Sequence, residues 1–498
     1  MSETAAFPLP FAGAYRLPVA NIRTLRELAM MRMSAVIRAK PQWHVKMNDA
    51  EIVARWTREA AEQGMTQAQI RYVLAELAYY AGLRDEPTGI EVSGVDGVWQ
   101  SDTLIDEKLR SRLREAVRVL EDVPDAELDW HPGSDGQVLD LVHPSLFCLV
   151  RDVSRPDTTS WPTSSRGEAQ YALSNRFQWL PTDVEVDEDG DAVFCSYVNN
   201  LHPVDHRELA DILPILVGRM RPLLENVLTD LSHPRPLRIE TASSSWYEGE
   251  PRGPWNPEID YPADAFEVWE DAMTEWLSTR TPIVPDAPAF TPPAASDAAR
   301  VDLRGRRLQV IVKLAAIHLT PDKPDYAGGA WHVEGMMNER IVATGIYYWD
   351  SENITESRLG FRAAVDPPGH EQNDRAALRD IYGLENEAAL NQVLGAAETR
   401  AGRALAFPNA LQHRVGPFRL ADPTRPGYRK ILVFFLVEPS ETIVSTSDVP
   451  PQQPWSPTST MTLEQAKAYR EELMQERKFV VDAHSGRAYE REFSLCEH

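Results

Sequence analysis

The sequence predicts an α+β protein, with a large, mainly helical N-terminal region leading into a core of short strands in a sandwich or jelly roll. Three observations carry this. Amphipathic stripes with capping residues recur up to Val123, the hydrophobic period shortens after residue 300, and a Pro- and Ala-rich stretch, residues 281–300, lies between the two regimes.

Taken in order, "TLRELAMMRMSAVIRAK" sets Leu25, Leu28, Met31, Met33 and Ile37 on a helical stripe. "NDAEIVARWTREAAEQG" opens on a capping Asn48 or Asp49 and stops at Gly64. "MTQAQIRYVLAELAYYAGL" and "LIDEKLRSRLREAVRVLEDV" repeat the pattern, and their Met and aromatic stripes read as core packing. Asp187-Glu188-Asp189-Gly190 between "TDVEV" and "AVFCSYV" signals a hairpin; the acidic loop lacks the ligand spacing of an EF-hand. "DHRELADILPILVGRMRPLLENVLTDL" returns to helix, with Pro214 expected to kink or split it. "ADAFEVWEDAMTEWLSTR" reads as another helix, and residues 281–300 as a linker or extended strap. Then "GRRLQVIVKLAAIHL", "RIVATGIYYWD", "SRLGFRAAV", "RALAFP", "HRVGPFRL" and "RKILVFFLVEP" are short apolar or alternating runs, the mark of a jelly roll or sandwich. A helical insertion is expected near residues 371–395, and "TLEQAKAYREELMQERKFVV" reads as a charged surface helix. The expected organisation is residues 1–235 mainly helical with a hairpin, 236–300 connector and strap, 301–440 jelly-roll core, and 441–498 C-terminal extension.

Composition narrows the function. With 51 Lys+Arg against 75 Asp+Glu, the formal charge of −24 repels phosphate backbones and anionic lipid. Nucleic acid is therefore not the expected partner, and the same acidity hints at a neutral or cationic substrate. Three cysteines without CxxC spacing argue against a disulfide scaffold or a thiolate zinc site, and fit a reducing, cytoplasmic setting. Neither a signal peptide nor a long apolar run is visible, so no membrane span is expected. Oligomeric state stays open.

The chemistry gathers in "YAGGAWHVEGMMNERIVATGIYYWD". On a strand, His332 and Glu334 would share one face and could supply an imidazole and a carboxylate to one ion. Oxygen-activating iron(II) sites use two histidines and one carboxylate on one side of the metal. His413, in "GRALAFPNALQHRVGPF", is the best second histidine, because strands distant in sequence become neighbours in a jelly roll. Arg429 opens the apolar strand "RKILVFFLVEP", and an arginine at the start of a buried strand wants an anionic partner.

With these residues the chain resembles the iron(II)- and 2-oxoglutarate-dependent oxygenases of the double-stranded β-helix, a jelly-roll, cupin-like fold, over roughly residues 305–440. "WHVEG" looks like their His-X-acid motif, "ALAFPNALQHRVGPF" like the segment carrying the distal histidine, and "GYRKILVFF" like the Gly-X-Arg start of the late strand. The resemblance implies Fe(II) on His332, Glu334 and His413, 2-oxoglutarate with its far carboxylate on Arg429, and O2 as co-substrate. It implies hydroxylation or desaturation of a small-molecule or amino-acid-type substrate. The chain is also similar, over most of its length, to an uncharacterised fungal and bacterial family of about 500 residues. Two departures stand out: the acid is Glu334 where Asp is usual, and Ile431 replaces the serine seen two past the arginine in some branches. The co-substrate's hydroxyl partner must then come from elsewhere, with Tyr348, Thr344 and Tyr326 as candidates.

Other residues have competing readings. Lys313 interrupts an apolar run, either reaching into the barrel or packing its stem and snorkelling. His318 reads as surface or as support behind a ligand, and His202 and His206 as helix-capping rather than metal-binding. Ser357, Arg358 and Arg362 could face substrate, or form a solvated hairpin. Two further functional classes stay open: a cupin-like dioxygenase without 2-oxoglutarate, and a non-catalytic binding protein on the same fold.

Overall fold

A computed structural model of the 498-residue chain describes residues 7–11, 18–154, 170–249, 300–371, 374–495, and 268–293 apart from 270, 274, 277 and 278. Half of the predicted helix in "ADAFEVWEDAMTEWLSTR" lies outside the described residues, and those described between 268 and 279 are helical.

Helices form where stripe and cap coincide. α1 (Leu25–Arg38) starts at Thr24, whose hydroxyl accepts the Glu27 N–H at 3.1 Å. α2 (Ala50–Glu62) is capped by Asp49, and the chain leaves it through Gly64. α3 (Gln67–Leu83) opens with a reciprocal Thr66–Gln69 capping box, and α4 (Glu107–Glu121) with Asp106. α5 (Arg207–Ser232) is not split at Pro214, one of the two outcomes expected there: the helix runs past both Pro214 and Pro222. Each proline costs roughly 3 kcal/mol in a helix interior. Ten apolar side chains from Leu209 to Leu228 are buried along this helix, at about 1.5–3 kcal/mol apiece, and outweigh that cost. α6 (Leu463–His484) is less superficial than expected, because it buries Leu473, Arg477, Val480 and His484.

The strands fall into large antiparallel sheets, so the chain is α+β. The labelled strands are β1 (Val138–Val142), β2 (Thr182–Val186), β3 (Ala192–Phe194), β4 (Arg306–Leu319), β5 (Ile341–Glu352), β6 (Arg358–Asp366), β7 (Asn391–Glu398), β8 (Ala404–Pro408), β9 (Gln412–Val415) and β10 (Gly427–Val437). The larger sheet runs β8–β5–β10–β4–β2–β3, with β1 also paired to β4 and two short strands, Trp99–Ser101 and Glu91–Val92, added beyond β8. The smaller sheet pairs β6 with both β7 and β9. One core, with Ile311, Ile346, Tyr348, Phe361, Leu394, Leu405, Phe407, Val433 and Phe435, is built from both sheets, which therefore form the walls of a sandwich. α5 packs on the outside of β8 and β5. The expected helical insertion at 371–395 is mostly replaced: only Arg375–Tyr382 is helical, and Asn391 already begins β7, pairing across from Ala364. Alternation within "LNQVLG" was masked by the helix-like run before it.

The helical region has an ionic core. Arg238 is 5% exposed and reaches Glu76 at 2.8 Å and Asp96 at 2.8 and 2.9 Å, with Glu27 at 3.6 Å. Burial alone would raise Asp96, but Arg238 holds its carboxyl far below the usual range. Arg26 meanwhile donates to the carbonyls of Val284 and Pro285, tying residues 284–285 to α1. Replacing Arg238 by Met strands three buried carboxylates. The expected loss is about 3–5 kcal/mol of unfolding free energy by denaturant titration, and a loss below about 1 kcal/mol would contradict it.

Candidate metal centre

The His-X-Glu segment is not a regular strand. His332 makes a single antiparallel bridge to His413: its N–H donates to the His413 carbonyl at 3.2 Å, and its carbonyl accepts the His413 N–H at 3.0 Å. Two glycines make the entry and exit possible. Gly328, at φ +94°, has no room for a side chain because a Cβ would stand 2.9 Å from the Val415 carbonyl. Gly335, at φ +72°, turns the chain immediately after Glu334, where a Cβ would meet Ile341 at 2.8 Å.

The bridge sets the two imidazoles 4.4 Å apart, centroid to centroid. Both Nε2 atoms approach one oxygen of Glu334, at 3.2 Å from His413 and 3.7 Å from His332. One ligand atom from each of the three lies within 4.8 Å of the other two, so the group could hold a metal ion. His332 Nδ1 faces the Ala330 carbonyl at 2.9 Å, the arrangement that leaves Nε2 as the ligand atom. His413 Nδ1 faces the Leu411 carbonyl outside good hydrogen-bond geometry. Phe407 lies 4.8 Å from the His413 ring and Phe361 5.1 Å from Phe407, so the inner side is apolar.

The charges couple tightly. Burial disfavours the His332 imidazolium, but Glu334 more than reverses this and its pKa is raised; with 37% of its side chain open, solvent softens the burial cost. Burial also opposes the Glu334 carboxylate, yet the two imidazoles hold it well below the usual range. His413 is lowered by burial and by its neighbour His332. A carboxylate sharing a proton with two imidazoles is a site in which a divalent cation can take the proton's place.

Asn409, 1% exposed, fixes the acid from behind. Its side-chain oxygen accepts the Glu334 N–H at 2.8 Å, while its nitrogen donates to the carbonyls of Glu334 and Ile341, each at 3.0 Å. The turn after the motif is held by Glu339, 0% exposed, which accepts from the Trp179 N–H at 2.7 Å and from Arg477 of α6 at 2.7 Å. In the sequence Asn409 read only as part of a turn, and α6 as surface. Long-range bonds of this kind leave no local pattern.

The other candidates divide. Arg429 is 2% exposed, lies opposite Ile317 of β4, and has its guanidinium 4.8 Å from the Tyr348 ring centre. Among the described residues no carboxylate pairs with it, and its Nε is buried without a hydrogen bond. Tyr348 and Thr344 are buried on β5, alternating with outward residues; the Tyr348 hydroxyl lies beside Arg429 outside good hydrogen-bond geometry, and the Thr344 hydroxyl has no partner among the described residues. Tyr326 is half-buried, 5.1 Å from the Phe418 ring and within the field of Arg429. Arg358 and Arg362 are not at the centre. They alternate with Phe361 on β6 and so occupy its other face, Arg358 paired with Glu356 and Arg362 with Gln412 at 2.7 Å and Glu490 at 2.7 Å. Ser357 is buried beyond them, its carbonyl accepting the Thr399 N–H, and is not brought to the triad. His318 lies beside Trp130 and Tyr428, and His202 accepts the N–H groups of Val204 and Asp205 ahead of α5. A second group, His131, Asp140 and His143, went unread in "DWHPGSDGQVLDLVHP", where turn residues dominate the pattern.

Fold and site thus define an α+β protein with antiparallel sheets and a candidate two-histidine, one-carboxylate metal centre between them. The chain belongs to the family described as "Protein of unknown function (DUF4246)", whose model matches residues 67–458; a companion model, "Domain of unknown function DUF4246, N-terminal", matches residues 1–59. No curated protein matches it. Solved structures with some likeness include IDO from Bacillus thuringiensis (9% identity, 69% of this chain and 90% of that one, TM-score 0.28). Others are the Fe(II)/(alpha)ketoglutarate-dependent dioxygenase TqaL (11%, 68% and 93%, 0.23) and the dioxygenase for auxin oxidation in rice (14%, 75% and 81%, 0.26). TM-scores this low carry no argument about the present chain. No helix among the described residues is long and apolar enough to cross a membrane.

Removing the Asn409 side chain frees the Glu334 backbone without touching a ligand atom. Asn409→Ala is expected to weaken metal binding ~10–100-fold in a calorimetric manganese(II) titration. Affinity unchanged from wild type would show that the Glu334 backbone needs no such support.

Proposed function

We propose that this chain is an iron(II)- and 2-oxoglutarate-dependent oxygenase on a double-stranded β-helix, acting on a small-molecule or amino-acid-type substrate. Strand order supports the fold. Counting the His332 segment as second of eight, the larger sheet takes the first, eighth, third and sixth strands, and the smaller the second, seventh, fourth and fifth.

The observation that carries the activity is Arg429. A buried guanidinium without a carboxylate is costly, and this one lies on the inward face of the same sandwich as the triad. A ligand carboxylate is the natural complement, since the planar fork matches two carboxylate oxygens. His332, Glu334 and His413 fit iron(II) by donor type and by convergence on one side. Bound there with 2-oxoglutarate, iron(II) would supply oxygen activation coupled to oxidative decarboxylation of the co-substrate.

The chain's own residues do the rest. Arg429 would anchor the far carboxylate of 2-oxoglutarate, and the hydroxyls of Thr344 and of Tyr348 beside Arg429, with Tyr326, would offer it hydrogen bonds. Phe361, Leu405, Phe407 and Val433 wall the interior with apolar surface, excluding water from the reacting groups. Substrate would be oxidised by hydroxylation or desaturation.

The test is succinate release from 2-oxoglutarate by the full-length protein with iron(II), alongside calorimetric binding of 2-oxoglutarate. Arg429→Met should weaken 2-oxoglutarate binding at least ~30-fold, following from about 2–4 kcal/mol for a truncated buried charge pair. Wild-type affinity in that variant, or no 2-oxoglutarate binding by the wild type, would overturn the reading and favour a metal site that works without this co-substrate.

A further inference from the structure

Arg429 is not the only inward cation. Lys313 on β4 lies directly opposite Val433 of β10, and opposed residues on antiparallel strands share a face. Val433 belongs to the core that includes Phe361 and Phe407, so Lys313 points between the sheets. Arg429, opposite Ile317, faces the same way from a position four residues along β4, about 13 Å distant. Lys313 is half-buried and has no ion pair or hydrogen bond among the described residues.

On the other edge of β4, Asp140 of β1 is opposite Ala315 and therefore shares that inward face. Its carboxylate accepts from His131 Nδ1 at 2.8 Å and has Arg470 at 4.0 Å, while His143 lies alongside. By position alone these three could hold a metal ion, but the hydrogen bonding opposes it. His143 Nδ1 accepts the Ser145 N–H at 3.2 Å, which places the ring proton on Nε2 and leaves that atom no lone pair to give. Lys313 and Arg470 add positive charge at the same place. Burial pushes the His143 pKa down to about 3, so the ring stays a neutral donor. Lys313 thus shares its inward face with Asp140, two positions along β4 from the residue that Asp140 opposes.

We propose that Lys313, with the His143 Nε2–H beside it, forms a second carboxylate-binding position in the interior, separate from Arg429. Arg470 and Lys467 face Asp129 at 3.1 and 3.7 Å, and Arg470 also stands 4.0 Å from Asp140, so two cations already stand against these two carboxylates; Lys313 adds one further positive charge and, with His143, two donors, the complement of a singly charged, two-oxygen anion. Such a carboxylate has two possible sources: an acidic or amino-acid-type substrate, or the metal-proximal carboxylate of 2-oxoglutarate. The assignment of either source rests on the oxygenase reading, whereas the carboxylate position itself rests on Lys313.

Acetate is the probe. Its affinity for the full-length protein, read by saturation-transfer NMR with and without saturating 2-oxoglutarate, is compared across wild type, Lys313→Met and Lys313→Arg, with Lys313→Gln in place of the Met variant where that one does not fold. Calorimetry in manganese(II) gives the 2-oxoglutarate affinity of each. Lys313→Met should weaken acetate ~5-fold or more while Lys313→Arg retains it. Acetate binding that persists beside 2-oxoglutarate, whose own affinity is unchanged in Lys313→Met, assigns the position to substrate. Displacement of acetate by 2-oxoglutarate, with 2-oxoglutarate weakened ~5-fold or more in Lys313→Met, assigns it to the co-substrate. Acetate and 2-oxoglutarate affinities both within about two-fold of wild type in Lys313→Met would overturn the proposal. A wild type that takes up neither manganese(II) nor 2-oxoglutarate, yet binds acetate through Lys313, would defeat the oxygenase reading and leave this one standing.

Discussion

Two reciprocal backbone hydrogen bonds between His332 and His413 are the constraint on which the candidate centre depends. They join segments far apart in the chain and fix the spacing of both imidazoles before any side chain is chosen. Most of what surrounds them serves that register. β9 is held by β6, the loop before it is held through Asn409, and the turn after Glu334 is tied to α6 through Glu339 and Arg477. A carboxylate between two imidazoles would otherwise relax into separate hydrogen bonds with water, and the narrow Gly328 and Gly335 turns leave the segment few other paths.

The surface and the interior carry opposite electrostatic messages. Over the whole chain the formal charge is −24, which argues for a neutral or cationic substrate. Exposed charges are screened beyond roughly 8–10 Å in ordinary salt, however, and buried ones are not. Arg429 and Lys313 stand inside without carboxylate partners among the described residues, so the interior holds positive charge behind an acidic exterior. The local field at the site outweighs the global sum when the two disagree.

Legibility in the sequence followed the range of the interaction. Caps at Thr24, Asp49, Thr66 and Asp106 announce their helices because cap and helix are neighbours. The alternating runs after residue 300 announce antiparallel sheet, and residue type with spacing singled out His332, Glu334 and His413, which lie together. Reading failed where distant parts decide. Pro214 looked like a break because the apolar surface that α5 buries is invisible locally. Arg362 stayed open to two readings because nothing in its own segment names Gln412 or Glu490 as partners. The His131, Asp140 and His143 group was hidden because β1 is short and its inward face is set by β4, far downstream.

The claim at the centre of this account is that the bridged pair and Glu334 form one metal site. Equilibrium dialysis of the full-length protein against iron(II) under anaerobic conditions, with His413→Ala and Glu334→Ala in parallel, tests it most directly. The account predicts about one iron per wild-type chain, with occupancy lost in both variants. Wild-type protein that retains no iron, or variants that bind it as tightly as wild type, would contradict it.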